Sequence, residues 1–362
     1  MIYLDYAATS LKRVELIEYI LNNMMDFDAN ADSIHKMGRL SKKTLENSRH
    51  EIAKFLNTTD DRIVFTSGAS ESNNYIINNF SDENYDIITS KIEHPSILNP
   101  LDHNKSNVIL IDAQQNGVVD CDEIIRNITP NTKLIILQHV NNETGVIQPV
   151  KKLGEYLKDT EIWYHIDATQ SVGHVDVDVE DLHCDSLSFS GHKLGGLNGF
   201  GVLYIRKDLD NLIYAGEQEN YRRGGTSFVM GAFTLEKSLL KSVEEREYIA
   251  NLKKIFIENI KFDYKINGNV DNSASHILNL YIPFEKNDFL LTYLDMHGVC
   301  VSAGSACSAG SITNSHVIEN MYDGQRAEHS VRFSFGFKNT EEEILKAVNV
   351  LNDLYEKGKY NG

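Results

Sequence analysis

One lysine, one carboxylate and one thiol stand out along this chain of 362 residues. Lys193 closes the run Ser188-Phe189-Ser190-Gly191-His192-Lys193, where an apolar stretch from Cys184 to Phe189 stops abruptly in small and hydrogen-bonding residues. An amine delivered at a strand end can form a Schiff base with an aldehyde. Upstream, Trp163-Tyr164-His165-Ile166-Asp167-Ala168-Thr169-Gln170 reads as another strand that stops at a carboxylate, Asp167. A lysine and a carboxylate at the C-terminal ends of neighbouring strands are what pyridoxal phosphate requires: an imine partner for its aldehyde and an anion that keeps its ring nitrogen protonated. Far downstream, Ala303-Gly304-Ser305-Ala306-Cys307-Ser308-Ala309-Gly310-Ser311 sets one thiol among small residues and adds Cys307 as a candidate nucleophile.

Three further segments fit the same chemistry, each with an ordinary alternative. In Thr66-Ser67-Gly68-Ala69-Ser70-Glu71, Gly68 permits a tight turn into a helix whose first amides, with the Ser70 hydroxyl, could hold a phosphate dianion. An N-capped helix with no ligand would read the same way. His94, in Ile92-Glu93-His94-Pro95-Ser96, could stack on a cofactor ring and exchange protons near neutral pH, although one histidine among 13 is more often a surface or packing residue. His139-Val140-Asn141-Asn142-Glu143-Thr144-Gly145 ends a strand with an amide able to donate to a phenolic oxygen, and by itself Asn-Asn before Gly signals a loop.

Elements that place these groups together follow from the hydrophobic pattern. Strand candidates alternate with helical patterns at 63–66, 86–90, 108–111, 133–139, 162–166, 186–189 and 201–205, which predicts an α/β domain with a largely parallel sheet. In such sheets ligands sit beyond the carboxyl ends of the strands, and every segment singled out above falls just after one. Residues 233–260 are charged and periodic, without Gly or Pro, and predict one long helix. It leads into a second unit with strands at 262–266, 276–282 and 330–335 and helices near 286–297 and 340–357. The expected division is a large domain over 13–250 and a small one made of 1–12 and 251–362 that carries the cysteine segment.

With 41% hydrophobic residues the chain can bury a large core, and a net charge of −17 disfavours nonspecific attraction to nucleic acid or anionic lipid. No signal-peptide pattern opens the sequence and no apolar run is long enough to span a membrane, so a cytoplasmic location is expected. Cys121, Cys184, Cys300 and Cys307 lack the spacing of a zinc site, and no metal is expected; Cys184 and Cys300 read as core and Cys121 as incidental.

From Tyr3-Leu4-Asp5-Tyr6-Ala7-Ala8-Thr9 to Ser330-Val331-Arg332-Phe333-Ser334-Phe335-Gly336 the chain resembles the cysteine desulfurases of the NifS/IscS type, within the class V aminotransferase group of pyridoxal-phosphate enzymes. The resemblance implies fold type I: a mostly parallel seven-stranded sheet with helices on both faces, plus a smaller α+β domain. It also implies that Lys193 binds pyridoxal 5'-phosphate covalently, that Asp167 partners the ring nitrogen and that His94 stacks on the ring. Ala69, Ser70, Ser190, Gly191 and His192 resemble the phosphate cradle, and Asn142 and Gln170 the contacts to the phenolic oxygen. Thr226, in Arg222-Arg223-Gly224-Gly225-Thr226, resembles a residue that completes the phosphate site of a second subunit, which implies a homodimer. Arg332 resembles the clamp on a substrate carboxylate, a task suited to a planar guanidinium. Cys307 resembles the nucleophile that takes sulfur from L-cysteine as a persulfide, leaving L-alanine, for a persulfide acceptor protein such as an iron–sulfur scaffold or a tRNA-thiolating enzyme. Ser70 stands where the group usually has Thr, Ala31 where it has Pro, Leu197-Asn198 where it has Pro-Lys, and Tyr6 where it has Asn. Rival expectations are another enzyme of this fold (an aminotransferase, a selenocysteine lyase or a kynureninase-like hydrolase) and a non-catalytic relative in a sulfur-transfer complex.

Overall fold

The computed structural model describes residues 1–304 and 314–361, with side chains as far as residue 358. Cys307 lies outside the described residues. Twelve strands are described: β1 (Ile2–Tyr3), β2 (Ile63–Thr66), β3 (Asp86–Ser90), β4 (Asn107–Ile111), β5 (Thr132–Gln138), β6 (Trp163–Asp167), β7 (Ser186–Ser190), β8 (Gly201–Ile205), β9 (Lys265–Ile266), β10 (Ile277–Tyr281), β11 (Val299–Cys300) and β12 (Ser330–Ser334). Seven of them form one sheet in the order β2-β8-β7-β6-β5-β3-β4. β8 runs against both its neighbours, and the remaining pairs, β7–β6, β6–β5, β5–β3 and β3–β4, are parallel. The expected mostly parallel seven-stranded sheet is present.

Strands covered on both faces have no reason to alternate in polarity. β5 accordingly reads Leu134-Ile135-Ile136-Leu137, all fully buried. One apolar cluster gathers Phe65, Leu137, Ile166, Phe189 and Leu239 on one side, and a second gathers Val64, Tyr75, Ile76, Ile136 and Leu203 on the other. β6 and β7 depart from the rule: Trp163, His165 and Asp167 share one face of β6, and Ser186, Ser188 and Ser190 the same face of β7. Register pairs His165 with Ser186 and Asp167 with Ser188, so the polar rows lie side by side.

A third cluster, with Leu4, Leu252, Phe256, Leu278, Phe333 and Val348, lies around the antiparallel sheet β12-β10-β9. The N-terminal segment joins this region: β1 pairs with β11, and Asp5 bridges to Ser334. The single long helix expected over 233–260 is two, Val229–Glu244 and Arg246–Glu258. The break falls at Glu245, whose carboxylate receives both Nη1 and Nη2 of the buried Arg13 at 2.7 Å. Neither a glycine nor a proline marks it. Among the cysteines, Cys121 is buried in the core rather than incidental, because it opens the helix Cys121–Arg126 with its side chain turned toward the Pro149 carbonyl. Cys300 is only partly buried, on the two-stranded β1–β11 sheet, and Cys184 is fully buried. Among the described residues no helix is long and apolar enough to cross a membrane.

Candidate active site

Chain turns after β2, β3, β5, β6 and β7 meet around a cavity of about 220 Å³. Its walls bring together ten of the expected residues: Ala69, Ser70, His94, Asn142, Asp167, Gln170, Ser190, His192, Lys193 and Arg332. Gly191 sits in the 3₁₀ turn that presents Lys193. Thr226 is elsewhere: it is exposed and lines a separate outer hollow with Ser67, Gly199 and Arg223.

Lys193 Nζ donates to the carbonyls of Ala7 and Ala8 at 2.6 and 2.8 Å. That N-terminal segment is itself fixed, with the Ala7 amide donating to Ser334 Oγ at 2.9 Å and Gln170 Nε2 donating to the Ala7 carbonyl at 2.9 Å. Asp167 is 5% exposed, and its two oxygens accept from the Thr169 amide at 3.0 Å and from Asn73 Nδ2 at 2.9 Å. Both contacts are donors, so each carboxylate oxygen serves as an acceptor.

His94 caps the helix Pro95–Asp102, its Nδ1 accepting from the Ser96 amide at 3.0 Å. Because a backbone N–H can only donate, the neutral ring carries its proton on Nε2. Burial holds the His94 pKa below the usual histidine value, Asp167 opposing this and Lys193, His316 and Arg332 adding to it. Burial pushes His192 down to about 3, with Lys193, Lys12 and His94 contributing, so it too is neutral. Its Nδ1 lies 3.1 Å from Thr9 Oγ1.

The helix Ala69–Asn79 starts at Gly68, which provides no side-chain cap, and the Ala69 amide donates to Ser190 Oγ at 2.7 Å. Gly68 has φ +153, and a Cβ on the facing Gly201 would stand 2.5 Å from its Cα, so both positions require glycine. The exposed positive end of this helix adjoins Ser70 at the cavity wall and suits a phosphate dianion.

Arg332 is almost fully buried, its Nη2 on Asp5 Oδ1 and its Nη1 on the Asn142 carbonyl, both at 2.9 Å. Its Nε has no partner among the described residues, nor do the buried Asn142 Oδ1 and Thr169 Oγ1. Polar atoms orphaned at the wall of a cavity call for a polar occupant. An amine, a buried carboxyl group, an open helix N-terminus and a buried guanidinium around one space fit pyridoxal phosphate and an amino acid. Shortly before the described residues break off at 304, Ser302 pairs with Arg332 backbone to backbone, and just after they resume at 314, Ser315 Oγ donates to Glu143. One flank is thus paired with a residue of the cavity wall, Arg332, and the other is bonded to Glu143, the chain neighbour of the wall residue Asn142.

Several groups at the site had no sequence signal. The Ala7 and Ala8 carbonyls belong to residues without functional side chains. Glu93 is fully buried, accepts from Ser90 Oγ at 2.6 Å and from the Gln138 amide at 3.1 and 3.0 Å, and fixes the turn before His94. Asn73 and His165 were legible only as polar residues where apolar ones belong.

A lysine-and-carboxylate site at the strand ends of a mostly parallel sheet defines a pyridoxal-phosphate enzyme. The chain belongs to the aminotransferase class-V family, whose sequence profile matches residues 2–346 and whose members use this cofactor. It is 36% identical over 373 residues to a protein of Dictyoglomus turgidum named cysteine desulfurase IscS, covering 98% of this chain and 95% of that one. Among solved structures it is similar to a NifS-like protein (TM-score 0.89, 28% identity, 98% and 99% of the two chains). It is also similar to a structure titled SspA in complex with cysteine (TM-score 0.81, 31% identity, 92% and 99%).

Proposed function

We propose that this protein is a pyridoxal-phosphate-dependent cysteine desulfurase that converts L-cysteine to L-alanine and keeps the sulfur as a persulfide on Cys307. The observation that carries this reading is that Lys193, Asp167, His94 and Arg332 line one cavity, with Ser302, shortly before the Cys307 segment, bridged to Arg332. The names of the relatives and the cysteine-bound neighbour support the substrate.

Asp167 would hold the ring nitrogen, His94 the ring face, and Asn142 with Gln170 the phenolic oxygen. Ala69, Ser70, Ser190, Gly191 and His192 would hold the phosphate, and Lys193 the aldehyde carbon. When bound, the cofactor supplies a sink for the electron pair released at the substrate Cα. Arg332, balanced by Asp5, holds the substrate carboxylate and fixes which Cα bond faces Lys193. Lys193 Nζ accepts the Cα proton. The Cys307 thiolate attacks the substrate sulfur, so that one S–S bond forms as the Cβ–S bond breaks and its electron pair stays with carbon. The Cα proton held on Lys193 Nζ and the proton shed by the Cys307 thiol as it ionises complete alanine, with Lys193 and His94 as the shuttles. One cysteine and one thiol become one alanine and one persulfide, with no outside oxidant or reductant.

Thr226 is placed by this reading in the phosphate site of a second copy, supported by its exposure away from its own cavity. The active species is then a homodimer, and the persulfide passes to an acceptor protein such as an iron–sulfur scaffold or a tRNA-thiolating enzyme. A cytoplasmic location belongs to the same proposal, as does the division into a large domain over 13–250 and a small one of 1–12 and 251–362, supported by the separate apolar cluster around β12-β10-β9. The test is a single-turnover assay without reductant. Holoenzyme and L-cysteine should give alanine and protein-bound sulfane sulfur in equal amounts, whereas pyruvate or keto-acid products without sulfane sulfur would point to a lyase or an aminotransferase.

A further inference from the structure

We propose that Asn73 is a positioning residue, whose single side-chain amide orients the Asp167 carboxylate and, through Ser96, backs the Nε2–H form of His94. This rests on the roles given above to Asp167 and His94. Asn73 is fully buried on the helix Ala69–Asn79, over the polar face of β6 and β7. All four hydrogen-bonding valences of its amide are used. Nδ2 donates to Asp167 Oδ2 and to Ser96 Oγ, each at 2.9 Å. Oδ1 meets His165 Nε2 at 3.0 Å and Ser188 Oγ at 2.6 Å.

The direction of every bond in this network follows from two fixed ends. A carboxylate can only accept, so the nitrogen of Asn73 faces Asp167 and its oxygen faces His165 and Ser188. His165 must therefore donate from Nε2, which leaves its Nδ1 to accept from Ser186 Oγ at 2.8 Å. Ser186 Oγ in turn accepts from the indole N–H of Trp163 at 2.8 Å, a group that can only donate. Trp163, Ser186, His165 and Asn73 form a one-way relay that ends as a donor on Asp167. Burial brings the His165 pKa down to about 4, so the relay stays neutral and delivers no proton to the carboxylate. On the other branch, Ser96 Oγ accepts from Asn73 and so points its own proton at His94 Nδ1, 2.9 Å away. Together with the Ser96 amide, this leaves His94 Nδ1 only as an acceptor and keeps Nε2–H for the cavity.

Asparagine is the residue type that does this. Aspartate at the same volume would set two acceptors against Asp167 and Ser96, so that one of the paired carboxyls must take a proton. Alanine would leave Asp167 Oδ2, His165 and Ser188 without their buried partner.

Three variants of the holoenzyme test the assignment. Asn73→Ala and Asn73→Asp should weaken pyridoxal-phosphate binding by about tenfold or more, the loss expected when a buried charged acceptor is stripped of its donor. In both, kcat for L-cysteine should fall while KM holds, because Arg332 is untouched. Ser96→Ala, at the partly exposed start of a helix, cuts only the His94 branch: cofactor affinity should stay within about twofold, while the ¹⁵N resonance of His94 Nδ1 shifts and kcat drops. A purely structural role would lower the unfolding midpoint and leave the His94 signal and the split between kcat and KM as in the wild type. Folded Asn73 variants with wild-type cofactor affinity, or Ser96→Ala with the wild-type His94 resonance, would overturn the proposal. A wild type that makes no alanine from cysteine would instead sink the desulfurase reading, while the affinity and ¹⁵N measurements would still decide the role of Asn73.

Discussion

Glu93 next to His94 is the residue whose burial has the clearest measurable consequence. Burial pushes its carboxyl up to about 8, against the hydrogen bonds from Ser90 and the Gln138 amide and with Asp167 adding to the rise. In the unfolded chain a glutamate titrates near about 4.3. Between those values the native protein holds a proton that the unfolded chain has lost, so stability falls as pH rises from about 4.5 to about 8. Glu93→Gln keeps the shape and both hydrogen bonds but cannot ionise. The thermal midpoint of the variant should gain on that of the wild type steadily from pH 5 to 8 and level off above; two parallel curves would show that Glu93 ionises normally. At this scale the sequence was legible where a candidate side chain ends a strand or closes the turn after it, as Asp167 and Lys193 do. It was not legible where the partner is a backbone carbonyl. The acceptors of Lys193, Ala7 and Ala8, lie 186 and 185 residues away and have methyl side chains.

Strand boundaries at 63–66, 86–90 and 201–205 follow the sequence pattern residue for residue, because those strands are short apolar runs bounded by polar or glycine residues. The helix break at Glu245 does not, and a tertiary contact falls on that residue: Arg13, buried under Phe337 at 4.0 Å from the ring centroid, binds the Glu245 carboxylate. Glu245→Ala leaves the Arg13 guanidinium buried without its counter-ion, a loss of about 3 kcal/mol. Urea unfolding should show that loss with an unchanged slope; a change under about 0.5 kcal/mol would mean that Arg13 finds other partners in the folded state. β6 and β7 hold a signal that composition alone obscures. His165 and Asp167 in one central strand, and Ser186, Ser188 and Ser190 in the next, are polar at every second position where both faces are covered. Such a row has to be satisfied by a network, and here the network leads to the cavity.

At the scale of the whole molecule, the site is assembled from segments at opposite ends of the chain: Asp5 pairs with Arg332 and Ala7 with Ser334, each across 327 residues. Family resemblance reached these residues through motif positions, whereas local pattern gives no hint that the N-terminus closes the cavity over Lys193. The role proposed for Thr226 would extend the same logic to a second copy. Sedimentation of holoenzyme should find activity and bound cofactor in a dimer, and Thr226→Ala should retain cofactor about tenfold less well with no loss of folded monomer. A fully active, cofactor-loaded monomer would contradict the shared site. The account as a whole turns on one sulfur atom, because the cofactor chemistry is common to every enzyme of this fold. The direct measurement is alanine release with intact-mass and peptide mapping after brief exposure of wild type and Cys307→Ser to L-cysteine. The account predicts an added sulfur on Cys307 in the wild type, and a serine variant that binds cofactor normally yet forms alanine at least about a hundredfold more slowly. Alanine at the wild-type rate from Cys307→Ser, or sulfur mapped to Cys121, Cys184 or Cys300, would contradict it.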